Sequence, residues 1–232
     1  MIRRDTGPQG PDMPADPDLA DSGMELAQAL RAAIIRGEFL PHQRLVEADL
    51  CQRYSASRSS VRTALQELSS YRLVEFERNR GARVREIPTG EAIEITEVRR
   101  LLEGMEAARA AERATKSDIV VFRRVLGDMQ SAVNSGAFTV YSQLNAELHG
   151  LIQDVSAHET AARVLRQLRD QTVRHQFTLS LVPGRPRTSL PQHEAIVRAI
   201  IAHDSVEAER AMRVHLDSVI QALQALAAAS TG

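Results

Sequence analysis

The spacing of apolar residues in the first third of the chain predicts several short helices. Leu26, Leu30 and Ile34 recur one helical turn apart, and Gly37 ends the run. An extended piece at Leu45–Val46 and two further helices follow, over residues 47–54 and from a Ser57 cap to about Ser70. This part of the chain therefore predicts a small helical unit.

Strict alternation on both sides of a turn predicts a β-hairpin over residues 73–85. Val74 and Phe76 alternate with acidic residues before a turn at Asn79-Arg80-Gly81, and Val84 lies between two arginines after it. The acidic residues of one strand can face the arginines of the other. Helix, short strand, helix, turn, helix and hairpin is the order of a winged helix-turn-helix.

The pattern beyond the hairpin is helical throughout. Pro88-Thr-Gly90 reads as a linker, and Pro183-Gly-Arg-Pro186 as the clearest break between later helices. Ser117 has no capping box, although Ser117 and Asp118 suit a helix start. Six helices are predicted, over about 91–116, 117–135, 138–155, 158–181, 189–203 and 205–228. The predicted fold class is mainly α: an amino-terminal winged helix-turn-helix with a β-hairpin wing, and a carboxy-terminal all-helical bundle.

Composition separates a leading tail from these two domains. Residues 1–22 hold four of the nine prolines, many Asp residues and almost no large apolar side chains. Such a segment cannot bury enough surface to offset its ordering entropy, so we expect a disordered tail. The predicted organisation is a tail over 1–22, a winged helix-turn-helix domain over 23–87, a linker over 88–90, and a helical domain over 91–228.

Charge is uneven although the whole chain has a net charge of only −1. Residues 1–22 carry −3, residues 23–87 carry +3 and residues 88–232 carry −1. The positive balance of the helix-turn-helix region is compatible with a nucleic-acid partner. A single cysteine, Cys51, excludes an intrachain disulfide, and the chain shows neither a signal peptide nor a membrane span. We therefore expect a cytoplasmic protein with no membrane partner.

The predicted third helix carries polar groups at its amino-terminal end that suit DNA. Arg58 and Arg62 share one face, with Ser59 beside them, after the Ser57 cap. Arginine can bond bidentately to guanine, whereas serines and a helix N-terminus suit phosphate oxygens. The hairpin tip at Arg80-Gly81 could enter a minor groove. An isolated arginine pair is usually only a solvated surface, but the surrounding helix-turn-helix order favours DNA binding.

The run from Ile34 to Val84 resembles the DNA-binding domain of the GntR family of bacterial transcription regulators. It includes IIRGEFLPHQRL, SASRSSVRTAL and ERNRGARV. It departs from the family pattern at His42 and at Tyr71-Arg72, where Gly and Glu-Gly are usual, and at Ser60, where proline is common. The resemblance implies DNA contacts from Arg44, Ser57, Arg58, Ser59, Ser60, Arg62, Arg80 and Gly81.

Four residues of the helical region suggest a shared site. Asn145 and His149 are four residues apart on one predicted helix and so share a face. His193 and His215 each lie eleven residues from Asp204, where the last two helices turn. An antiparallel hairpin folded there brings both imidazoles to the same height. Three histidines and an oxygen ligand suit a divalent metal such as zinc or nickel, although a single histidine on a helix is more often a surface or core residue.

Residues 91–222 resemble the FCD effector domain of the FadR subfamily of GntR regulators, in its six-helix VanR-like branch. The resemblance rests on Glu97–Glu103, on Asn145-x-x-x-His149 and on the pattern from His193 to His215. It implies that an Asp and three His bind a metal, which in turn holds a carboxylate metabolite. Asn145 stands at the Asp position, so we expect weaker metal binding, and occupancy by the effector alone becomes possible.

Two arginines are candidates for binding the effector. Arg99 matches a family arginine near the cavity, and Arg174 is a second cation that could meet a carboxylate. Either could equally lie in a surface or interhelical ion pair.

The leading functional hypothesis is a homodimeric transcription regulator that binds a short palindromic operator. We expect it to act as a repressor whose operator binding is relieved by a small organic acid. A metal-dependent hydrolase with an appended DNA-binding domain is the rival from another class. The hydrolase lacks a general base, because Glu194 beside His193 would point elsewhere on its helix. A third hypothesis is a constitutive DNA-binding dimer without an effector, which requires a closed cavity. We therefore expect a protein that is not an enzyme.

Overall fold

The computed structural model describes residues 17–78 and 80–230. The chain divides into two compact units, with the division between Arg85 and Glu86. The first unit contains α1 (Pro17–Ile35), β1 (Arg44–Leu45), α2 (Glu47–Tyr54), α3 (Arg58–Ser70), β2 (Val74–Glu77) and β3 (Gly81–Val84). This order confirms the predicted winged helix-turn-helix.

Helices are the only regular secondary structure among the described residues of the second unit. Its elements are α4 (Thr89–Arg113), α5 (Lys116–Ser135), α6 (Phe138–Ser156), α7 (Glu159–Leu181), α8 (Arg185–Ile201) and α9 (Ser205–Ser230). The first and last of these helices, α4 and α9, pack against each other along much of their length. The predicted all-helical bundle of six helices is confirmed in this part of the chain.

Three helices begin two or more residues earlier than expected. Helix α1 begins at Pro17, inside the segment expected to be a tail, and residues 1–16 of that segment lie outside the described residues. Helix α4 begins at Thr89, inside the expected linker, because Pro88 is its N-cap. Helix α8 begins at Arg185, since Gly184 takes a left-handed conformation (φ 81°) and ends the break sooner than predicted.

The capping of α5 corrects a further expectation. Thr115, and not Ser117, is the N-cap residue: its hydroxyl accepts a bond from the backbone N–H of Asp118, whose carboxylate bonds back to the N–H of Thr115 at 2.8 Å. This reciprocal pair is a capping box. It places the helix start one residue earlier, at Lys116.

Helix α3 ends in a Schellman motif with an arginine in the left-handed position. Arg72 has φ 57°; its N–H bonds to the carbonyl of Ser69, and the N–H of Leu73 bonds to that of Leu68. His42 likewise has φ 63°. The GntR pattern has glycine at both positions. The left-handed backbone conformation is therefore present here although the glycine is replaced.

The three strands form a small antiparallel sheet in the order β1-β3-β2. Glu75 pairs with Arg83 in register, and the guanidinium of Arg83 bridges the carboxylates of Glu75 and Glu77 at 2.6 and 2.8 Å. Asn79 of the predicted turn lies outside the described residues. The sheet and the helices of the first unit share one apolar core, in which Leu30, Leu65 and Leu68 are fully buried.

Within the described residues, no helix is both long and apolar enough to cross a membrane.

Candidate functional sites

The amino-terminal end of α3 presents two arginines at the surface. Arg58 and Arg62 are exposed one helical turn apart, with 66% of the Arg62 side chain accessible. The Nε of Arg62 donates to both carboxylate oxygens of Glu47 at 3.1 Å. An exposed ion pair of this kind is weak, so Arg62 can exchange Glu47 for a phosphate or a base at little cost.

A serine cluster shapes the first turn of the same helix. Ser57 caps α3 by accepting the backbone N–H of Ser60 at 3.1 Å, and its hydroxyl lies 2.8 Å from that of Ser59. The hydroxyl of Ser60 points inward: only 3% of the residue is exposed, and it bonds to Ser57 and Ser22. The hydroxyl of Ser60 is therefore engaged inside the fold at the contact with α1, and the expected DNA contact of Ser60 stays a prediction. Ser57 and Ser59 remain exposed.

The other basic residues expected to contact DNA lie on the sheet. Arg44 is exposed on β1, opposite Arg83 of β3, and Arg80 is exposed at the hairpin tip. Gly81 has φ 80° and no atom within 4 Å of where a Cβ would stand. Glycine is thus favoured there by the backbone conformation and leaves the tip open for a close approach.

Three buried histidines converge in the helical unit. His149 of α6, His193 of α8 and His215 of α9 each place one ring nitrogen within 4.8 Å of the others. The rings of His193 and His215 have centroids 4.4 Å apart, so the turn between α8 and α9 does bring them to the same height. His149 lies at 5.8 Å from His193 and 5.5 Å from His215.

Each of the three rings is held by a different partner at its Nδ1 atom. The Nδ1 of His149 lies 2.6 Å from the carboxylate of Glu103. The Nδ1 of His193 lies 3.1 Å from the hydroxyl of Tyr141, and the Nδ1 of His215 lies 3.0 Å from the amide oxygen of Gln192. With Nδ1 engaged, the Nε2 of each ring is left to face its neighbours. The Nε2 of His193 is buried and without a hydrogen-bond partner.

Burial keeps these imidazoles neutral. It lowers the pKa of His149, against the pull of the Glu103 carboxylate, and together with neighbouring positive groups it lowers the pKa of His193 and His215 well below the usual range. Burial opposes ionisation of Glu103, but Arg169 and Arg99 outweigh it and hold its pKa well below 4.5. An ionised Glu103 accepts the Nδ1–H of His149 and so directs the lone pair of Nε2 towards the cluster.

A cavity of about 60 Å³ opens beside this cluster. His149 and His215 belong to its lining, as do Asn145 and two arginines, Arg99 and Arg185. The remaining lining residues are Tyr141, Ser142, Gln176, Leu179, Ser180, Pro186, Ser189, Leu216 and Val219. The structure thus brings Asn145 and Arg99 of the predicted set to the histidines.

Comparison with known proteins identifies the family of each unit. Residues 23–84 match the family described as bacterial regulatory proteins, gntR family, and residues 94–218 match the FCD domain. The chain belongs to the GntR family and carries an FCD domain. It is therefore a transcription regulator that binds DNA, and its FCD unit contains six helices among the described residues.

The relatives that match this chain over most of their length are transcription regulators. The chain is 24% identical to the HTH-type transcriptional repressor RspR of Escherichia coli, over 86% of this chain and 88% of that protein. It is 28% identical to the HTH-type transcriptional regulator LutR of Bacillus subtilis, over 80% and 94%. The solved structure of E. coli McbR/YncC shares the fold with a TM-score of 0.74, at 21% identity, over 88% and 98%.

Arg174 of this GntR regulator does not line the cavity. Helix α7 contributes Gln176, Leu179 and Ser180 to the lining. At about 100° per residue, Arg174 lies some 200° round the helix from Gln176, and so on the opposite side. Burial lowers the pKa of its guanidinium, but the structure brings it to no part of the predicted site.

Several residues of the FCD site were missed from the sequence. Tyr141 lies one turn before Asn145 and two before His149, so helical spacing alone could have found it. Glu103 lies four residues after Arg99, a spacing that signals their ion pair but not the bond to His149. Arg185 and Gln192 carry no such signal.

The rival hydrolase finds no support in this regulator. The families and relatives that match are transcription regulators. The carboxylate of Glu194 accepts a bond from Gln130 at 2.9 Å on the exposed side of α8, as expected for a residue that points away from the histidines.

Proposed function

We propose that this regulator represses transcription as a homodimer on a short palindromic operator, and that a small carboxylate metabolite in the FCD cavity relieves repression. The observation that supports it most is the buried cluster of three neutral histidines beside a cavity lined by two arginines. A cavity with such a polar wall suits a polar ligand that replaces water at its hydrogen-bonding groups. A constitutive dimer would need a closed cavity.

On the DNA side, we propose that the exposed arginines of α3 bind bases and that the wing reaches the minor groove. Arg58 and Arg62 stand one turn apart at the start of the helix, as base contacts in a major groove require. Exposed Ser57, Ser59 and Arg44 suit phosphates, and Arg80 with Gly81 suits the minor groove. Two-fold symmetry of a homodimer would be mirrored in the operator.

The FCD cluster also fits a divalent metal. Three neutral imidazoles with engaged Nδ1 atoms, and the unpartnered Nε2 of His193, form a donor set that suits zinc or nickel. His149, His193 and His215 would hold the ion, with the amide oxygen of Asn145 as the weakest ligand. A bound metal would supply a positive centre for the effector's carboxylate.

Asn145 favours a second mode in which the acid binds without metal. A neutral amide gives less charge to a cation than a carboxylate, so metal affinity falls while the attraction of the arginines for an acid is undiminished. Arg99 retains its partner Glu103 at 2.8 Å and is a donor at the cavity wall in either mode.

An operator-release assay tests the proposal. The operator is selected from random DNA by the wild-type protein, and binding is followed by fluorescence anisotropy while C2–C6 organic acids are added, with zinc and with a chelator. We expect at least one acid to weaken operator binding about tenfold, as typical coupling energies allow. His149→Ala should lose that response and keep acid-free operator binding. Unchanged operator binding with every acid would refute the proposed sensing.

A further inference from the structure

Positive groups flank the histidine cluster on two sides. Among the described residues, a carboxylate forms ion pairs with the arginines on only one of these sides. On the His149 side, Arg99 and Arg169 both bond to the buried carboxylate of Glu103, at 2.8 and 3.1 Å. Only 1% of the Glu103 side chain is exposed, so breaking this buried pairing would leave charges uncompensated. The carboxylate offsets one of the two positive charges on that side and holds both guanidinium groups within the fold.

Arg185 provides the positive charge on the other side. It lies on α8 and lines the same cavity as His149 and His215. Its Nη1 donates to the hydroxyl of Ser218 at 2.7 Å. Burial raises the pKa of the nearby Tyr141, so that phenol stays neutral. Among the residues that the structure describes, no carboxylate forms an ion pair with Arg185.

The lining of the cavity has no negative charge to offset these cations. It contains two arginines and no Asp or Glu. The position where the family pattern has Asp is occupied by Asn145, so this chain lacks the one carboxylate expected there. A half-buried cation without an acidic partner is costly to desolvate, and an anionic ligand would remove that cost.

The size and polarity of the cavity restrict the ligand further. Its volume of about 60 Å³ holds roughly four to six water molecules, which suits a small acid. Neutral hydrogen-bonding groups complete the wall: Ser142, Asn145, Gln176, Ser180 and Ser189. They suit carboxylate and hydroxyl oxygens equally.

We propose that the effector is a small dicarboxylate, with or without hydroxyl groups, whose one carboxylate lies at the histidine cluster while the other bonds to Arg185. This proposal rests on the proposed function and adds the class of effector to it. Arg185 is then the residue that distinguishes a diacid from a monoacid, because guanidinium and carboxylate form a charge-assisted, bidentate pair.

Titration with matched pairs of acids tests this. Full-length protein is titrated calorimetrically with malonate, succinate, malate and glutarate, and with the half-amide of each, which replaces one carboxylate by a neutral group of the same size. Ionic strength is fixed, and each series is run with zinc and with a chelator. We expect at least one diacid to bind at least about tenfold more tightly than its half-amide.

Three variants locate that preference. Arg185→Gln should abolish it by weakening the diacid about tenfold or more while the half-amide changes less than about twofold. Arg185→Lys keeps the charge and should retain part of the preference for the diacid over its half-amide. This variant can be measured if Arg185→Gln folds poorly. Arg187→Gln, an exposed arginine on the same helix, should bind like the wild type.

The outcomes separate this inference from the proposed function. If half-amides or monoacids bind as tightly as diacids, or Arg185→Gln keeps the preference, the diacid assignment is wrong although acid sensing stands. If no acid of either kind binds, both proposals fail. If the preference for diacids is lost in Arg185→Gln and kept in Arg187→Gln, both the diacid assignment and the proposed acid sensing are supported.

Discussion

The proposed DNA-binding face and the FCD cavity each contain a pair of arginines, but the two pairs are held in opposite ways. Arg58 and Arg62 are exposed, lie on one helix and meet at most a weak surface ion pair. Arg99 and Arg185 lie on α4 and α8, at the wall of the FCD cavity. The first pair works through its own geometry, whereas the second depends on which charges the fold packs around it.

This difference decides how each site tolerates change. Removing an exposed arginine costs the contact with the ligand and little of the fold. Removing a member of a buried ion cluster leaves its partner uncompensated and costs stability as well. The predictions below use this contrast, from the largest expected effect to the smallest.

Arg58→Ala combined with Arg62→Ala should weaken operator binding about 100-fold, because each arginine loses bonds to base edges. Anisotropy with the selected operator measures this, and thermal melting should be unchanged within about 1 °C. Arg36→Ala removes an exposed arginine that pairs with Glu38 and should leave operator binding as it is. Retained affinity in the double variant would remove α3 from the DNA interface.

Glu103→Gln should destabilise the FCD unit by about 3 kcal/mol, since Arg99 and Arg169 would lose their buried counter-charge. The affinity for zinc should also fall about 10- to 100-fold, because His149 loses the carboxylate that orients it. Calorimetric melting and zinc titration measure the two effects. Glu97→Gln, an exposed change on the same helix, is the control; equal melting of both variants would contradict the buried-cluster argument.

Asn145→Asp should raise the affinity for zinc about tenfold by restoring a charged oxygen ligand. The added negative charge should also weaken diacid binding in the presence of a chelator. Competition with a chromogenic chelator gives the metal affinity. Asn134→Asp adds the same charge at an exposed site of α5 and should change neither value. Unaltered zinc binding in Asn145→Asp would show that this side chain does not ligate.

Glu106 makes the stability of the FCD unit depend on pH. The carboxyl is fully buried with both oxygens unpartnered, and burial raises its pKa from 4.5 to about 7. The unfolded chain therefore loses this proton at lower pH than the folded chain, so stability falls as pH rises from about 4.5 to 7. Glu106→Gln should raise the melting temperature at pH 8 by about 2–4 °C and change it little at pH 4.5.

The control for this prediction is Glu112→Gln, an exposed carboxyl on the same helix. It should shift the melting temperature equally little at both pH values. A pH-independent gain in Glu106→Gln would mean that packing, and not ionisation, is responsible.

Arg72→Gly should stabilise the DNA-binding unit by about 0.5 kcal/mol, because glycine adopts φ 57° without the steric cost that arginine has there. Denaturant unfolding measures it. Arg78→Gly, in the turn after β2 and without a positive φ, should be neutral or destabilising. A loss of stability in Arg72→Gly would show that the side chain of Arg72 outweighs the backbone strain.

Much of the fold was predictable from short stretches of sequence. The bounds of α2 and the Ser57 cap of α3 agree with the apolar spacing and the cap residue. The equal distances of His193 and His215 from Asp204 correctly anticipated adjacent rings, because an antiparallel helix pair converts sequence distance into height. Ser60 shows the limit: its neighbours placed it on a DNA-facing turn, and the contact with Ser22 buried it.

The sequence by itself determined the two units, helix α3 and the three members of the histidine cluster. Helical periodicity and capping act over a few residues, so short stretches of sequence are enough to reveal them. Only the tertiary structure decided which charges meet. It pairs Arg99 and Arg169 with Glu103 and places Arg174 away from the cavity. It also places Arg185 at the cavity wall without an acidic partner among the described residues. Coulomb energies depend on distance and burial, and for residues on different helices packing alone sets both.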